Sequence, residues 1–392
     1  MTWKHYSLEQ AAERFDGSED FTIGIEEEFQ ILDPESLDLV SRFEDLYKAA
    51  HERIGTFARG ELIASEIEVC TDKCKDIARA ETDLRSKRQG LFEAASELGL
   101  ALGASGTHPF AAWQDQRITD TPHYRDVEES LRYCAWRNMS FGMHIHVGVQ
   151  GHERIIAIFN SMRNYLPHLL ALSANSPFSE GRYTYLHSAR TQIFTKFFPR
   201  CNIPAPFKDW GEYAHLVDSL FATGSINAPT QIWWSIRPHP IFGTLEIRIC
   251  DSQCYVEDTL AIAALAVALI ARLAHEFDEG RRMEVLNPNC LEENFWRAIR
   301  YGLDGSFVDF GTGKEVSAKE AVLNLVDYTG EVHKPLGLGK HIERLGHILS
   351  EGNGAQRQIR LFEKTGDIAA VHAEAVQWSR SNFSYTGKKP GR

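Results

Sequence analysis

The chain has 392 residues, of which 42 are Lys or Arg and 54 are Asp or Glu, so its formal net charge is −12. Nucleic-acid-binding proteins contact phosphates through clustered basic residues, and this excess of acids argues against that class. A hydrophobic share of 43% is enough for a packed core and argues against a disordered acidic chain.

The sequence also argues against a secreted or membrane-spanning protein. Its first ten residues lack the apolar core of a signal peptide. The longest apolar run, residues 260–271, is shorter than the roughly 20 residues that span a bilayer, which favours a buried helix. The seven cysteines are odd in number and have no two-residue spacing, which is typical of free thiols in a reducing cytosol. We therefore expect a cytoplasmic protein.

In chain order, the hydrophobic pattern predicts strands separated by long helical insertions. Alternating polarity predicts strands over residues 21–32, 61–70, 140–149 and 233–250. Helical periodicity covers residues 75–98, 152–172, 259–278, 294–300, 341–350 and 354–378. Without regular βαβ alternation, this order favours an α+β fold with a mainly antiparallel sheet. We expect one domain over residues 1–392, helical from about residue 255 onwards.

Two of the strand-like segments each place a pair of metal-ligating side chains on one face. Side chains two positions apart share a face of a strand. In the first segment Glu26 and Glu28 share a face, whereas Glu27 falls on the apolar side. In the third segment His144 and His146 share a face opposite an apolar one. Alternate histidines on a strand are a recurrent metal-binding arrangement.

The other two segments add acids and arginines. Glu246 and Arg248 share a face in the last segment. In the second segment Glu66 and Glu68 share a face, and Glu61 falls on the other unless a bulge intervenes. Each pattern alone also fits a solvated sheet face or a surface ion pair. Four such segments in one chain instead predict a shared site, in which the acids bind Mg²⁺ or Mn²⁺ and the arginines bind a phosphorylated ligand.

Several motifs in the same order carry a family resemblance. They are GIEEEFQ at 24–30, GTHPF at 106–110, GMHIHVG at 142–148, FPR at 198–200, IRP at 236–238 and GTLEIR at 243–248. The chain thereby resembles the type 2 glutamate–cysteine ligase family, the YbdK-like carboxylate–amine ligases. That resemblance implies a glutamine synthetase catalytic-domain-like fold, a curved and mainly antiparallel β-sheet funnel flanked by helices.

The resemblance also implies roles for individual residues. It implies these acidic metal ligands: Glu26, Glu28, Glu61 and Glu68. It implies that His144 completes a metal site with Glu246, and that His146 lies nearer the phosphates. Arg237 and Arg248 would hold phosphate oxygens and, with His146, act in catalysis, while Arg190 and Arg200 would line the nucleotide or substrate wall. Strand alternation prefers Glu66 to Glu61, so that position stays open.

The implied activity is ATP-dependent amide formation through an acyl phosphate, with ATP and Mg²⁺ or Mn²⁺ as cofactors. The implied substrates are glutamate and L-cysteine, although relatives could use another carboxylate or amine. One rival is a metal-dependent hydrolase with zinc on His144 and His146, which the surplus of acids and arginines disfavours. The other is an acidic binding protein without activity. We expect small-molecule partners, no nucleic acid or membrane, and a chain size compatible with a homodimer.

Overall fold

The computed structural model describes residues 7–381. Within them, the strands are β1 (Ile23–Leu32), β2 (Ala58–Gly60), β3 (Glu66–Cys70), β4 (Ala101–Gly103), β5 (Gly142–Gly148), β6 (Phe178–Ser179), β7 (Arg182–Tyr183), β8 (Ile236–His239), β9 (Thr244–Asp251), β10 (Ser306–Asp309) and β11 (Lys314–Ser317). The helices of the first half are α1 (Leu8–Asp16), α2 (Phe43–Ile54), α3 (Ile77–Glu97), α4 (Pro122–Leu131), α5 (Tyr133–Trp136), α6 (His152–Met162), α7 (Leu166–Ser173) and α8 (Ala189–Phe197). The remaining helices are α9 (Trp210–Ala222), α10 (Val256–Asp278), α11 (Pro288–Tyr301), α12 (Ala318–Tyr328), α13 (Gly330–His333), α14 (Gly339–Glu351), α15 (Gly354–Thr365) and α16 (Ile368–Arg380).

One open sheet of seven strands organises the molecule. Its order is β2-β3-β1-β5-β9-β8, β4 pairs with the end of β1, and every pair is antiparallel. Two short hairpins, β6–β7 and β10–β11, lie apart from it. The predicted α+β class with a mainly antiparallel sheet is therefore confirmed.

Helix α10 lies in the core behind the sheet. It contacts α14, α6, α7 and β5. Its length and composition would suit a membrane span, but 78% of its most apolar stretch is buried inside the protein. The helix is thus a core element, as the sequence predicted, because a helix that is apolar on all sides is stable in water only when other elements cover it.

Several predicted elements are divided in the structure. Residues 233–250 form the hairpin of β8 and β9, whose turn uses Gly243 at a φ of 66°. Residues 152–172 form α6 and α7, and Pro167 occupies the first turn of α7. Residues 354–378 form α15 and α16, divided at Gly366, which adopts the left-handed conformation. Only the second half of residues 61–70 is a strand, β3.

Glu27 is an acid in the apolar face of β1, and it is fully buried. Arg88 of α3, also fully buried, donates to both Glu27 carboxylate oxygens at 3.1 and 3.3 Å. The Thr259 hydroxyl of α10 donates to the same carboxylate at 2.6 Å. Because a buried charge needs a partner and hydrogen bonds, this pair connects β1 to α3 and α10.

Candidate active site

The polar positions of neighbouring strands meet on one face of the sheet. The antiparallel register places Glu28 opposite Glu68, and Glu26 opposite His144. It also places His146 opposite Glu246. Directly opposed side chains lie within about 5.5 Å at their Cβ atoms, so the register itself brings acids and imidazoles together.

These side chains line a cavity of about 330 Å³, referred to below as the acidic cavity. The predicted site residues that line it are Glu26, Glu28, Glu61, Glu68, His144, His146, Arg190, Arg237, Glu246 and Arg248. Glu61 and Glu66 both line it, so the choice between them was unnecessary: β3 presents Glu66, and the irregular segment before β3 brings Glu61 to the same cavity.

One cluster joins His146 to Glu26 and Glu246. The Nε2 atom of His146 lies 3.6 Å from a Glu26 oxygen and 3.9 Å from a Glu246 oxygen, while its Nδ1 lies 3.0 Å from the Thr244 hydroxyl. This corrects the expected pairing of Glu246 with His144. A bulge between Met143 and Ile145 shifts the β5–β9 register, and His146 is the residue paired with Glu246.

A second cluster joins His144 to Glu28 and Glu68. The Nε2 atom of His144 lies 3.4 Å from a Glu28 oxygen, and its Nδ1 lies 3.0 Å from Glu26. The ligand atoms of Glu28, Glu68 and His144 all lie within 4.8 Å of one another, as do those of Glu26, His146 and Glu246. In each cluster the ligand atoms are therefore close enough to one another to bind the same cation.

The chemistry of both clusters fits divalent cations. The Nε2 atoms of His144 and His146 are buried and accept or donate no hydrogen bond within residues 7–381. Burial and the Glu28 carboxylate raise the pKa of Glu61 to about 8. Burial and neighbouring carboxylates also raise the pKa values of Glu66 and Glu68 well above the usual range. Such crowding of acids is relieved when a cation binds between them.

The acids of the His146 cluster are already ionised. Burial acts to raise the pKa of Glu26, but His146 and His144 outweigh it and hold that pKa well below its usual range. Arg237 and Arg248 similarly overcome the effect of burial on Glu246, whose pKa is also well below its usual range. Carboxylates that keep their charge at neutral pH are suited to binding metal.

Three arginines, Arg190, Arg237 and Arg248, line the acidic cavity. Arg248 donates to Glu246 at 2.5 Å, and Arg237 donates to both oxygens of Glu246 and to the Ile232 carbonyl at 2.6 Å. Arg190 of α8 donates to the carbonyl of Ile249 at 3.3 Å. These guanidinium groups add positive charge to the lining of the acidic cavity beside Glu246, and guanidinium groups are suited to binding phosphate or carboxylate oxygens.

Arg200 is not brought into the lining of the acidic cavity. Its Nε donates to the Gln231 carbonyl at 3.1 Å, and its guanidinium lies 5.6 Å from the centre of the Trp233 ring. Both Gln231 and Trp233 line the cavity, so Arg200 supports the wall from behind. Its predicted contact with nucleotide stays a prediction.

A second cavity of about 410 Å³, referred to below as the outer cavity, adjoins the first. Its walls include Phe57, Ile241 and Phe242, and residue Phe242 is 49% exposed. The two cavities share lining residues Glu26, Arg59, His146, Ile241 and Phe242. The sequence reading missed Arg59 because three-residue β2 is too short for its alternation to be read.

Comparison with known proteins gives the family. The model of glutamate-cysteine ligase family 2 matches residues 22–374. The chain belongs to this family. Two relatives, from Solibacter usitatus and Sorangium cellulosum, are named "Putative glutamate--cysteine ligase 2". The first is 41% identical, over 89% of this chain and 91% of the relative; the second is 40% identical, over 92% and 96%.

Solved structures give the same fold at low sequence identity. A glutamate–cysteine ligase from Francisella tularensis, solved with AMP, superposes with a TM-score of 0.69 at 13% identity, covering 94% of this chain and 90% of that one. The ligase PafA, in complex with the ubiquitin-like protein Pup, superposes with a TM-score of 0.54 at 11% identity, covering 97% of this chain and 78% of that one.

Membership of glutamate–cysteine ligase family 2 confirms the resemblance read from the motifs. It also supports the predicted enzyme class, an ATP-dependent carbon–nitrogen ligase that joins a carboxylate to an amine. The hydrolase alternative with zinc on His144 and His146 receives no support from these relatives.

Proposed function

We propose that the enzyme joins glutamate to L-cysteine, giving γ-glutamylcysteine, ADP and phosphate. The supporting observation is the composition of the acidic cavity, where two carboxylate–imidazole clusters lie in the same lining as three arginines. That combination suits a reaction in which a phosphoryl group moves between two anions. The family supports the same pair of substrates through the names of its members.

In this proposal the two clusters hold divalent cations, Mg²⁺ or Mn²⁺. Glu26, His146 and Glu246 form one binding site, and Glu28, Glu68 and His144 form the other. Glu61 and Glu66 are further carboxylates of the same cavity. Cations held by these residues would supply positive charge to offset the negative charge of the phosphate oxygens.

The two cavities divide the substrates between them. The outer cavity suits a purine base, because its lining includes the half-exposed Phe242 ring together with Phe57 and Ile241, which offer apolar surface to a flat ring. The acidic cavity then holds the γ-phosphate and the amino acids. The triphosphate crosses the boundary that both cavities share at Glu26 and His146.

The chain's own groups act by position and charge. A glutamate γ-carboxylate oxygen bonds to the γ-phosphorus as the bond to ADP breaks, and the product is an acyl phosphate. The cysteine amine then bonds to the acyl carbon, releasing phosphate and a proton. Arg190, Arg237 and Arg248 balance the negative charge that both steps concentrate, and their fixed geometry avoids reorganisation during reaction.

A coupled assay of ADP release tests this proposal. We expect ADP only when glutamate, cysteine, ATP and Mg²⁺ are all present. Glu28→Gln and Glu246→Gln should each lower the rate by at least about 100-fold, the size typical of losing one electrostatic group in an active site. Glu93→Gln is the matched control, because Glu93 pairs with Arg53 on the exposed surface.

Undiminished ADP release in either cavity variant would refute the site. Faster release with another carboxylate or amine would keep the ligase class and reassign the substrates.

We also place the enzyme in the cytoplasm, where its cysteines, none of which forms a disulfide in the described structure, stay reduced. Light scattering would test the predicted homodimer.

A further inference from the structure

Arg59 holds a position that differs from that of the other arginines of the site. It lies on β2, at the edge of the sheet, directly opposite Glu68. Its Nη1 atom is 3.2 Å from a Glu26 oxygen and 3.6 Å from a Glu68 oxygen. The guanidinium therefore touches one acid of each cluster, and it lines both the acidic and the outer cavity.

The other arginines are anchored, whereas Arg59 is not. The side chains of Arg237 and Arg248 are 8% and 12% exposed, and carbonyl groups also hold Arg237. The Arg59 side chain is 45% exposed, and its contacts with Glu26 and Glu68 are its only ion pairs within the part of the chain that the structure describes. A long, exposed side chain on an edge strand can change rotamer without disturbing the core.

We propose that Arg59 is the exchangeable counter-ion of the site. It balances Glu26 and Glu68 when no metal is bound, and it turns to the triphosphate when the metal–nucleotide complex enters. This inference rests on the proposed function, since it requires cations at the two clusters and phosphates at the boundary of the cavities. A guanidinium and a divalent cation compete for the same carboxylate oxygens.

The position of Arg59 also accounts for the second step of the proposed exchange, in which its guanidinium turns to the triphosphate. Arg59 lines both cavities, at the boundary that the triphosphate would cross in the proposed function, and a guanidinium binds phosphate oxygens through two parallel hydrogen bonds. Once Glu26 and Glu68 are neutralised by cations, the attraction that holds Arg59 falls. Arg59 would then hinder binding of the free metal and favour binding of the metal–nucleotide complex.

The test measures two affinities that should move in opposite directions. Binding of Mn²⁺ alone is followed by electron paramagnetic resonance, and binding of Mg²⁺ with the non-hydrolysable analogue AMP-PNP by calorimetry. We expect Arg59→Ala to bind Mn²⁺ about tenfold more tightly and Mg–AMP-PNP about tenfold more weakly, and Arg59→Lys to lie between it and the wild type. Arg53→Ala is the control, because Arg53 also contacts two glutamates, but on the exposed surface.

Unchanged or weaker Mn²⁺ binding by Arg59→Ala would overturn the inference, as would undiminished binding of Mg–AMP-PNP. If the wild type bound neither probe, the proposed function itself would fail. If the wild type bound both and Arg59→Ala matched it, only the role of Arg59 would fail. Arg59→Lys keeps the charge, so a loss of both affinities in that variant would indicate damage to the site and also count against the exchange.

Discussion

Removing Arg88 should destabilise the protein strongly, because its partner Glu27 cannot reach water. Arg88→Met leaves a fully buried carboxylate with the Thr259 hydroxyl as its remaining donor among the contacts described above. It also removes the donor to the carbonyls of Gln253 and Cys254, at 3.2 and 2.6 Å. Breaking a buried ion pair on one side costs about 3–5 kcal/mol. With an unfolding entropy of about 0.8 kcal/mol/K for a chain of this length, the melting temperature should fall by about 4–6 °C.

A double-mutant cycle measured by thermal unfolding at a fixed scan rate tests the reason for this loss. Glu27→Leu alone should cost a similar amount, because it leaves Arg88 charged and buried. The double variant Glu27→Leu/Arg88→Met should regain at least half of the summed loss, and the backbone carbonyls left without Arg88 prevent full recovery. Arg53→Met, on the surface, should shift the midpoint by less than about 1 °C. A double variant as unstable as the sum of the singles would refute the ion-pair explanation.

Three further outcomes follow from the same contacts. A Cβ atom on Gly142 would overlap the Arg190 guanidinium, so Gly142→Ala should lower kcat/KM about 100-fold with the fold retained by circular dichroism. A rate within twofold of wild type would show that Arg190 has no fixed role. EDTA should abolish ADP release, and excess Mg²⁺ or Mn²⁺ should restore it. ADP release that persists in EDTA would contradict the proposal that cations bound at the two clusters are needed for the reaction. Burial lowers the pKa of His108 to about 4 in the folded protein, below its usual value of 6.5. Between pH 6.5 and 4 the unfolded chain therefore binds more protons than the folded protein, and the free energy of unfolding decreases as the pH falls through that window. At pH 5 this group alone should cost about 2 kcal/mol relative to pH 7.5. His108→Asn should therefore show a shallower fall in melting temperature, and an equal slope would assign the acid sensitivity to other groups.

Strand alternation was enough to predict that three pairs of polar residues lie on the face of the sheet that lines the acidic cavity. It placed Glu26 with Glu28, His144 with His146, and Glu246 with Arg248, and the structure places all six in one cavity. The reason is that the period of two is a local property of an extended chain and requires no knowledge of neighbouring strands. The fold class followed from the same pattern and the order of the elements.

Contacts between strands could not be predicted in the same way. Which histidine meets Glu246 depends on register and on the bulge in the β5–β9 pair, and neither is encoded in a single segment. Arg59 and Glu61 lie on a very short strand and an irregular segment, where no period exists to read. Arg88 and Glu27 are 61 residues apart in the chain. Their ion pair could not be predicted from the sequence, because it depends on how α3 packs against the sheet.

The three consecutive acids of β1 show how the two faces of the sheet depend on each other. Glu26 and Glu28 face the acidic cavity, and Glu27 faces the core. A register slip by one residue would turn Glu27 toward the cavity and would bury Glu26 and Glu28 among apolar side chains, where each charge would lack a partner. The Glu27–Arg88 ion pair can form only in the native register, so its loss adds a second free-energy cost to the slip. An ion pair that adds little net stability can therefore still fix the position of the acids that we propose as metal ligands.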